Sequence, residues 1–455
     1  MSMTLSESMR WFIALLMTLG WAALWLPYVR HCREKQGAGT RPTGQGNMPS
    51  LLICHASQSG NAEQLARQAA DHLQHIDPDL QLLPLGQVTP QQLSTVSRLI
   101  IIASTYGDGE PPDSAIVFSS RVLNQRLQLE HMSYLLLGLG DRQYPHFCAF
   151  AERLDGWLKH QGAQAMAPWI GLDRLDQSGL SKWQLQLADI GAGALQTNSV
   201  QAGQQWRLDS RTLLNPASDA APVYLIRLTP IEQSADWCAG DIAEIQLQDQ
   251  GSLASTAIHR DYSIASLPSA KAIELLVRLV RYPDGRPGRV SGWLCLQAGI
   301  GSRVSLRVRS NPGFHLSEAD KPLILIGAGT GLAGLRGHLL QRIALGQKNN
   351  WLLFGERHPQ HDRLLQSELE ALQHAGLLQR MNLCFSRAEH PRYVQQLITE
   401  HASELQAWVA QGASIMVCGR LAGMGQGVHQ QLQTLLGEQQ LESIRIQGRY
   451  RRDLY

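Results

Sequence analysis

The sequence lacks a cysteine framework and a strong excess of charge of either sign, and it contains no internal repeat. Its 7 cysteines stand singly, without a CxxC pair, which argues against a disulfide-stapled fold and a zinc site and favours a reducing compartment. The formal net charge is only +2 over 455 residues. We therefore expect no metal ion and no nucleic-acid partner, and the length suggests about three domains.

One uncharged apolar run stands near the start of the chain. Residues 11–29, WFIALLMTLGWAALWLPYV, are about long enough to cross a bilayer core, and more basic residues follow the run than precede it. The positive-inside rule then places the following domains in the cytoplasm. The sequence predicts a single-pass anchor in the inner (cytoplasmic) membrane within residues 1–48, and a cleaved signal peptide or a buried core helix are the alternatives.

Two stretches alternate short apolar runs with amphipathic segments, which is typical of parallel sheets covered by helices. The first, residues 49–195, has predicted strands at 50–56, 80–85, 98–104 and 134–139, a weaker fifth at 164–170, and a helix at 61–75. The second, residues 317–455, has predicted strands at 323–327, 351–355, 381–386 and 414–419. Residues 207–316 have the short strands and turns of a small antiparallel barrel, preceded by a hinge at 196–206.

The charge is unevenly distributed between these stretches. Residues 49–195 carry 9 Lys and Arg against 14 Asp and Glu, a net −5, whereas residues 317–455 carry 14 against 12, a net +2. An acidic front domain and a basic rear domain favour docking of one on the other, or of the front domain on a basic partner.

Three loops follow predicted strands of the first sheet and would meet at its carboxyl edge, where ligands of such folds bind. The loop at 57–62 (SQSGNA) offers hydroxyls and backbone N–H groups at a helix N-terminus and can hold a phosphate without Lys or Arg, although a Ser-rich helix cap would look the same. The loops at 104–110 and 138–144 contain Tyr106 and Tyr144. Together they predict a mononucleotide whose flat ring stacks between two tyrosines.

These loops resemble the flavodoxin module of the diflavin reductases, whose members include the sulfite reductase flavoprotein and cytochrome P450 reductase. The resemblance rests on the strings ASQSGNA, STYGDGEPP and LGDRQY, and it implies FMN as the ligand. The residues that it assigns to FMN are Ser57, Gln58, Ser59, Gly60, Asn61, Tyr106, Gly107, Asp141 and Tyr144.

A second flavin motif lies in the predicted barrel, at residues 260–263 (RDYS). An arginine, a ring and a hydroxyl at this spacing can hold a flavin diphosphate and touch the flavin edge, although solvated strand residues would give the same pattern. Downstream, residues 288–294 (GRVSGWL) form a turn into a helix that can donate N–H groups to a diphosphate. Both stretches are similar to the FAD motifs of ferredoxin-NADP reductase-like domains. That resemblance assigns to FAD the residues Arg260, Tyr262, Ser263, Gly288, Val290 and Ser291.

A glycine-rich turn, residues 327–331 (GAGTG), follows the first strand of the second parallel stretch and opens a helix, as dinucleotide binding requires. Arg387 ends a later strand, where a guanidinium can pair with a 2′-phosphate and favour NADPH over NADH; a surface arginine is the alternative. The residues assigned to NADPH are Gly327, Gly329, Thr330, Gly331, Ser386, Arg387, Arg392 and Tyr393.

The last eight residues, GRYRRDLY, resemble the end of the diflavin reductases, where the final aromatic residue covers the FAD ring. Cys418 ends a predicted strand and can face the nicotinamide, although a buried structural cysteine fits the same pattern. By the resemblance, Ser263, Cys418, Asp453 and Tyr455 surround the hydride path. Tyr455 would then have to leave the ring before nicotinamide stacks on it.

The resemblance covers residues 50–455 and implies a flavodoxin-like α/β domain joined to a ferredoxin-NADP reductase-like module. It implies an NADPH-dependent enzyme with FMN and FAD that reduces a protein acceptor carrying haem or an iron–sulfur centre. Only about 65 residues separate the flavodoxin module from Arg260, which leaves no room for the helical connecting domain usual in the family. The alternatives are a reductase of a small acceptor, such as a ferric chelate or a quinone, and a membrane-tethered flavin-binding adaptor without turnover.

Acidic residues surround the predicted FMN edge, namely Asp108, Glu110, Asp113 and Asp141. Complementary charge steers and orients protein partners. The sequence therefore predicts an acceptor with a basic docking face.

Overall fold

The apolar runs of residues 49–195 form a parallel sheet. The computed structural model describes residues 50–57, 60–106, 109–142, 145–192, 203–232, 236–247 and 258–455. The strands of the first sheet are β1 Leu51–Ala56, β2 Gln81–Pro84, β3 Arg98–Ser104, β4 Ser133–Gly140, β5 Gln164–Ala165 and β6 Ile170–Asp173. They run in the order β2-β1-β3-β4, with β5 and β6 both beside β4.

Helices cover both faces of this sheet, which is why β1 is buried along its whole length. They are α1 Asn61–Leu73, α2 Pro90–Leu93, α3 Ile116–Arg121, α4 Ala149–His160 and α5 Gln177–Leu187. The prediction of one fifth strand at 164–170 is wrong, because two short strands occur there. Pro168 lies between them and cannot donate to a strand ladder.

The middle of the described chain is one antiparallel sheet of six strands. They are β7 Gln204–Leu213, β8 Val223–Pro230, β9 Ile242–Leu247, β10 Ile258–Ser263, β11 Ile273–Arg278 and β12 Arg303–Arg309, in the order β10-β9-β12-β7-β8-β11. A short helix, α6 Arg289–Gly292, follows β11. Strand β7 begins inside the predicted hinge, because Trp206 pairs with Pro230 and is fully buried in the core. The described residues from 203 to 263 form strands and turns without a helix.

A second parallel sheet ends the chain. Its strands are β13 Leu323–Ala328, β14 Asn350–Glu356, β15 Arg380–Phe385, β16 Ser414–Gly419 and β17 Tyr450–Leu454, in the order β15-β14-β13-β16-β17. Its helices are α7 Leu332–Ala344, α8 Gln366–His374, α9 Val394–Glu400, α10 Ala402–Ala410, α11 Gln426–Leu436 and α12 Glu438–Ile446. We call the six-stranded sheet and this second parallel domain together the reductase module, and residues 50–192 the flavodoxin module. The described residues of both modules lie in one compact unit.

In the part of the chain that the structure describes, every helix is too short or too polar to span a bilayer. The predicted membrane helix at 11–29 lies outside the described residues. The membrane anchor therefore stays a prediction.

Candidate active site

Three predicted catalytic residues from distant parts of the chain meet at one carboxylate. The Ser263 hydroxyl at the end of β10 donates a hydrogen bond to Asp453 Oδ2 at 2.7 Å. The Cys418 thiol at the end of β16 lies 3.7 Å from the same oxygen. Parallel pairing of β16 with β17 sets Cys418 opposite Asp453, so backbone register brings this pair together.

The surroundings of this carboxylate favour its neutral form. Burial raises the pKa of Asp453, and this effect outweighs the hydrogen bonds from Ser263 and Cys418, which lower it. Burial, reinforced by Asp453, also holds the pKa of the Cys418 thiol well above its usual range. The site therefore contains a carboxyl group whose pKa is shifted upward, beside a thiol whose pKa is also raised.

The terminal ring is held beside the glycine turn. The hydroxyls of Tyr455 and Thr330 are 3.0 Å apart, and the backbone N–H of Tyr455 donates to Gly419 O at 3.1 Å. Tyr455 as a whole is 54% exposed. A terminal ring tethered by its hydroxyl, with an accessible surface, fits the predicted role of covering a flat cofactor.

The residues predicted to bind FAD differ in their exposure and in their hydrogen bonds. The Arg260 side chain is exposed and donates to the carbonyl of His259 at 2.8 Å. The Ser291 hydroxyl accepts a hydrogen bond from Val280 N at 3.2 Å, so it stabilises the turn that begins at Gly288. Val290 is fully buried in the barrel core, so its contact with a cofactor stays a prediction. Tyr262 packs against the barrel core.

The turn after β13 requires glycine because its backbone lies close to the backbone of Cys418. A Cβ atom at Gly327 would lie 2.5 Å from the carbonyl oxygen of Cys418, and one at Gly331 would overlap the same carbonyl. Gly329 has a φ of +59°, in the left-handed region that glycine adopts freely. Such a turn leaves room for a diphosphate at the edge of the sheet, as the sequence predicts.

The residues predicted to bind the 2′-phosphate differ in whether their side chains already have partners within the protein. Arg387 is exposed, and among the described residues its guanidinium forms no hydrogen bond or ion pair that would hold it away from a ligand. Arg392 instead pairs with Glu400 at 2.8 Å. The Ser386 hydroxyl donates to Glu356 O at 3.4 Å, and Tyr393 is exposed at the start of α9. Arg387 is thus the residue best placed for a phosphate.

The FMN loops are described in part. Gln58, Ser59, Gly107 and Tyr144 lie outside the described residues, as does Asp108. The described FMN residues follow β1, β3 and β4 at one edge of the sheet, as predicted: Ser57, Gly60, Asn61, Tyr106 and Asp141.

The first of these loops turns sharply into α1. Ser57 Oγ accepts a hydrogen bond from Ala62 N at 3.3 Å, and Gly60 adopts a left-handed φ of +85°. Tyr106 is buried, and its hydroxyl has no hydrogen-bond partner among the described residues. The Arg452 guanidinium lies 4.7 Å from the centre of the Tyr106 ring, so the stacking of this ring on a flat cofactor stays a prediction.

Two acidic residues in and just after the second FMN loop contact the reductase module. Arg445 Nε lies 2.9 Å from Asp113 Oδ1, and Arg452 Nη2 lies 3.1 Å from Glu110 Oε2. The prediction that the acidic front domain docks on the basic rear domain is confirmed by these contacts. Sequence analysis did not single out Arg445 or Arg452. Both arginines nevertheless contribute to the net positive charge of residues 317–455 that suggested the docking.

Glu356 is a buried acidic residue that sequence analysis missed. It ends β14 beside the glycine turn, its side chain is 5% exposed, and its carboxylate is 3.9 Å from Arg278 Nη2. Burial raises the pKa of Glu356 to about 7, against the opposing effect of Arg278. Its strand-end position could have suggested a role in the site, but nothing in the sequence shows its burial.

Comparisons with known proteins agree with this architecture. A flavodoxin family model matches residues 53–184, and a model described as an oxidoreductase NAD-binding domain matches residues 325–430. The sulfite reductase [NADPH] flavoprotein alpha-component of Thiocapsa roseopersicina is 30% identical over 443 residues, which cover 85% of this chain and 84% of that protein. The chain belongs to the diflavin reductase family.

Other relatives align over more positions than this chain has residues. The sulfite reductase [NADPH] flavoprotein alpha-component of Neisseria meningitidis is 26% identical and that of Salmonella paratyphi A is 25% identical; the alignments cover 95% and 91% of each chain. The Salmonella alignment runs over 545 positions, more than the 455 residues present here. That relative therefore carries segments without a counterpart in this chain.

Asp453→Asn tests the shared carboxylate. Asparagine can accept the hydrogen bond from Ser263 but cannot hold or release a proton, so we expect the reduction of bound FAD by NADPH to slow by about 10²-fold. Rapid mixing with NADPH, followed by flavin absorbance, measures the rate, and FAD content should be unchanged. The exposed Asp284→Asn is the control, and a wild-type rate in Asp453→Asn would contradict the assignment.

Glu356→Gln tests the buried acid at the glycine turn. The pKa of the carboxyl is raised from 4.5 to about 7, so the folded state loses stability as pH rises between these values. We therefore expect the free energy of unfolding of the variant, relative to that of the wild type, to be higher at pH 8 than at pH 5, by up to roughly 3 kcal/mol. Denaturant unfolding at both pH values measures the difference. The exposed Glu389→Gln should show no such trend, and a constant difference between Glu356→Gln and wild type would refute the interpretation.

Proposed function

We propose that this NADPH-dependent diflavin reductase delivers electrons one at a time, by way of FAD and FMN, to a redox protein that carries haem or an iron–sulfur centre. The chain is an NADPH-dependent oxidoreductase with FMN and FAD as its cofactors, as its family membership establishes. Nicotinamide supplies two electrons as a hydride, whereas flavins can exchange electrons in pairs or singly.

The observation that carries the proposal is the convergence of Ser263 and Cys418 on the Asp453 carboxylate. These residues come from β10, β16 and β17, and the glycine turn and Tyr455 lie beside them. The group can orient a nicotinamide against a flavin edge and hold a proton there. An adaptor without turnover would have no need for a buried carboxyl at this point.

A protein acceptor is supported by the relatives, whereas Glu110 and Asp113, which the sequence assigned to the acceptor face, pair with arginines of the reductase module instead. The relatives are named as components of sulfite reductase, which suggests a redox protein partner for this chain too. Asp141, at the same edge as the FMN loops, is partly exposed. We place the enzyme at the inner (cytoplasmic) membrane, anchored by residues 11–29, with its catalytic modules in the cytoplasm.

Equal amounts of FMN and FAD are expected in the protein purified in detergent. Each flavin has its own module, so heat release followed by chromatography should give a one-to-one ratio. FAD alone would refute the route through FMN and favour direct reduction of a small acceptor. Reduction of a ferric chelate or a quinone, compared with reduction of a haem protein, then distinguishes the two acceptor classes.

Arg387→Ala is expected to weaken the use of NADPH at least about tenfold more than the use of NADH. The guanidinium would pair with the 2′-phosphate, which NADH lacks. Steady-state kcat/KM with each nucleotide measures the effect. The exposed Arg303→Ala, on the barrel, serves as the control. Equal losses with both nucleotides would show that Arg387 does not recognise the 2′-phosphate.

A further inference from the structure

Four charged residues join the flavodoxin module to the reductase module, and we call them the docking cluster: Glu110, Asp113, Arg445 and Arg452. Arg452 Nη2 lies 3.1 Å from Glu110 Oε2 and 3.3 Å from Asp113 Oδ1. Arg445 Nη2 lies 3.7 Å from Glu110 Oε2 and 2.9 Å from Asp113 Oδ1. Each carboxylate therefore contacts both guanidinium groups, and the two positive charges balance the two negative charges.

The docking cluster is shielded from water. The side chains of Arg452 and Asp113 are 4% and 5% exposed, and Glu110 forms the open rim at 40%. Burial alone would raise the pKa of Asp113, but Arg445 and Arg452 outweigh it and hold the pKa below its usual value. The pKa of Glu110 is lowered by Arg452 and Arg445 in the same way, against burial. Both carboxylates therefore stay ionised when the modules are in contact.

Packing surrounds the docking cluster on the flavodoxin side. The Arg452 guanidinium lies 4.7 Å from the centre of the Tyr106 ring, a distance that suits a cation–π interaction. Helix α12, which carries Arg445, packs against α3 of the flavodoxin module. The contact thus includes a residue that the sequence assigns to the FMN ring.

A second contact joins the modules at the phosphate loop. Arg309, at the end of β12, donates to the side chain of Asn61 and also pairs with Asp261. Gly60 approaches the carbonyl of Ser310 so closely that a Cβ atom would lie 2.6 Å from that oxygen. The FMN loop and the FAD motif are therefore bridged by one buried arginine.

We propose that the docking cluster, together with Arg309, orients the flavodoxin module on the FAD module, the task that a connecting domain performs in longer diflavin reductases. The described residues from 203 to 263 contain no helix that could do so. The arginines are positioning residues, which act by placing Tyr106 and the FMN loops toward the FAD motif. The role in electron transfer rests on the function proposed above, whereas the docking itself does not.

Removing the charge of Arg445, and then exchanging the charges of Arg445 and Asp113, tests the proposal. Arg445 is eight residues before Asp453 and contacts the flavodoxin module directly. We expect Arg445→Gln to increase the radius of gyration in small-angle X-ray scattering. The reduction of bound FMN after mixing with NADPH should slow at least about tenfold, while FAD reduction keeps its rate. Arg445→Asp combined with Asp113→Arg should restore both properties, because the exchanged charges can pair again.

The matched control is Arg67→Gln, which removes a positive charge from an exposed pair with Glu63 inside the flavodoxin module and should change neither measurement. If Arg445→Gln does not fold, Glu110→Gln at the exposed rim replaces it. Wild-type scattering and FMN reduction in Arg445→Gln, or failure of the exchanged pair to restore either, would overturn the proposal. If the wild type bound no FMN but Arg445→Gln still increased the radius of gyration, the docking proposal would be supported and the proposed electron transfer through FMN would be refuted.

Discussion

The pairing of β17 with β16 is the constraint on which the rest of the site depends. This register sets Asp453 opposite Cys418, where the carboxylate also meets Ser263. Successive side chains of a strand point to opposite faces, so Arg452 faces the other way and reaches Glu110, Asp113 and Tyr106. A slip of one residue would exchange the two side chains. It would remove the carboxyl from the predicted hydride site and the cation from the docking cluster together.

Two buried aspartates show how environment assigns opposite roles to one residue type. Asp453 and Asp113 are both enclosed by protein, yet burial raises the pKa of Asp453 whereas the arginines beside Asp113 lower its pKa. The partners of Asp453 are a hydroxyl and a thiol, which are neutral, while Asp113 has two guanidinium groups. The first carboxyl is suited to hold a proton, and the second is suited to keep a charge that attracts a partner.

The sequence predicted the sheets well because their strands are long apolar runs, such as β3 and β16, whose bounds are as expected. It missed β17, since the string YRRDL has no alternation of apolar and polar residues, and it joined β5 and β6 across Pro168. Ser263, Cys418 and Asp453 could be brought together only through family resemblance. Glu356 and Arg445 could not be found at all, because their burial and partners depend on contacts between distant segments.

Buried charge pairs between two modules fix their relative orientation more than they stabilise the contact. Desolvation offsets much of the attraction in such pairs, so they add little net stability, whereas leaving one charge unpaired is strongly unfavourable. The docking cluster therefore selects an orientation more than it strengthens the contact. A single cluster would still permit rotation about itself, and Arg309 restricts that rotation because it binds Asn61 at a second point.

Both contacts are attached to the FAD site. Asp261, the partner of Arg309, stands two residues before Ser263, and Arg452 directly precedes Asp453. Strand β17 therefore presents Asp453 on one face and the docking residue Arg452 on the other, whereas Asp261 and Ser263 lie on the same face of β10. Because a folded strand moves as a unit, a displacement of either strand at the FAD site must also displace its docking residues. The docking residues that we propose to orient the flavodoxin module are thus attached to the same two strands that carry Ser263 and Asp453 of the predicted hydride site.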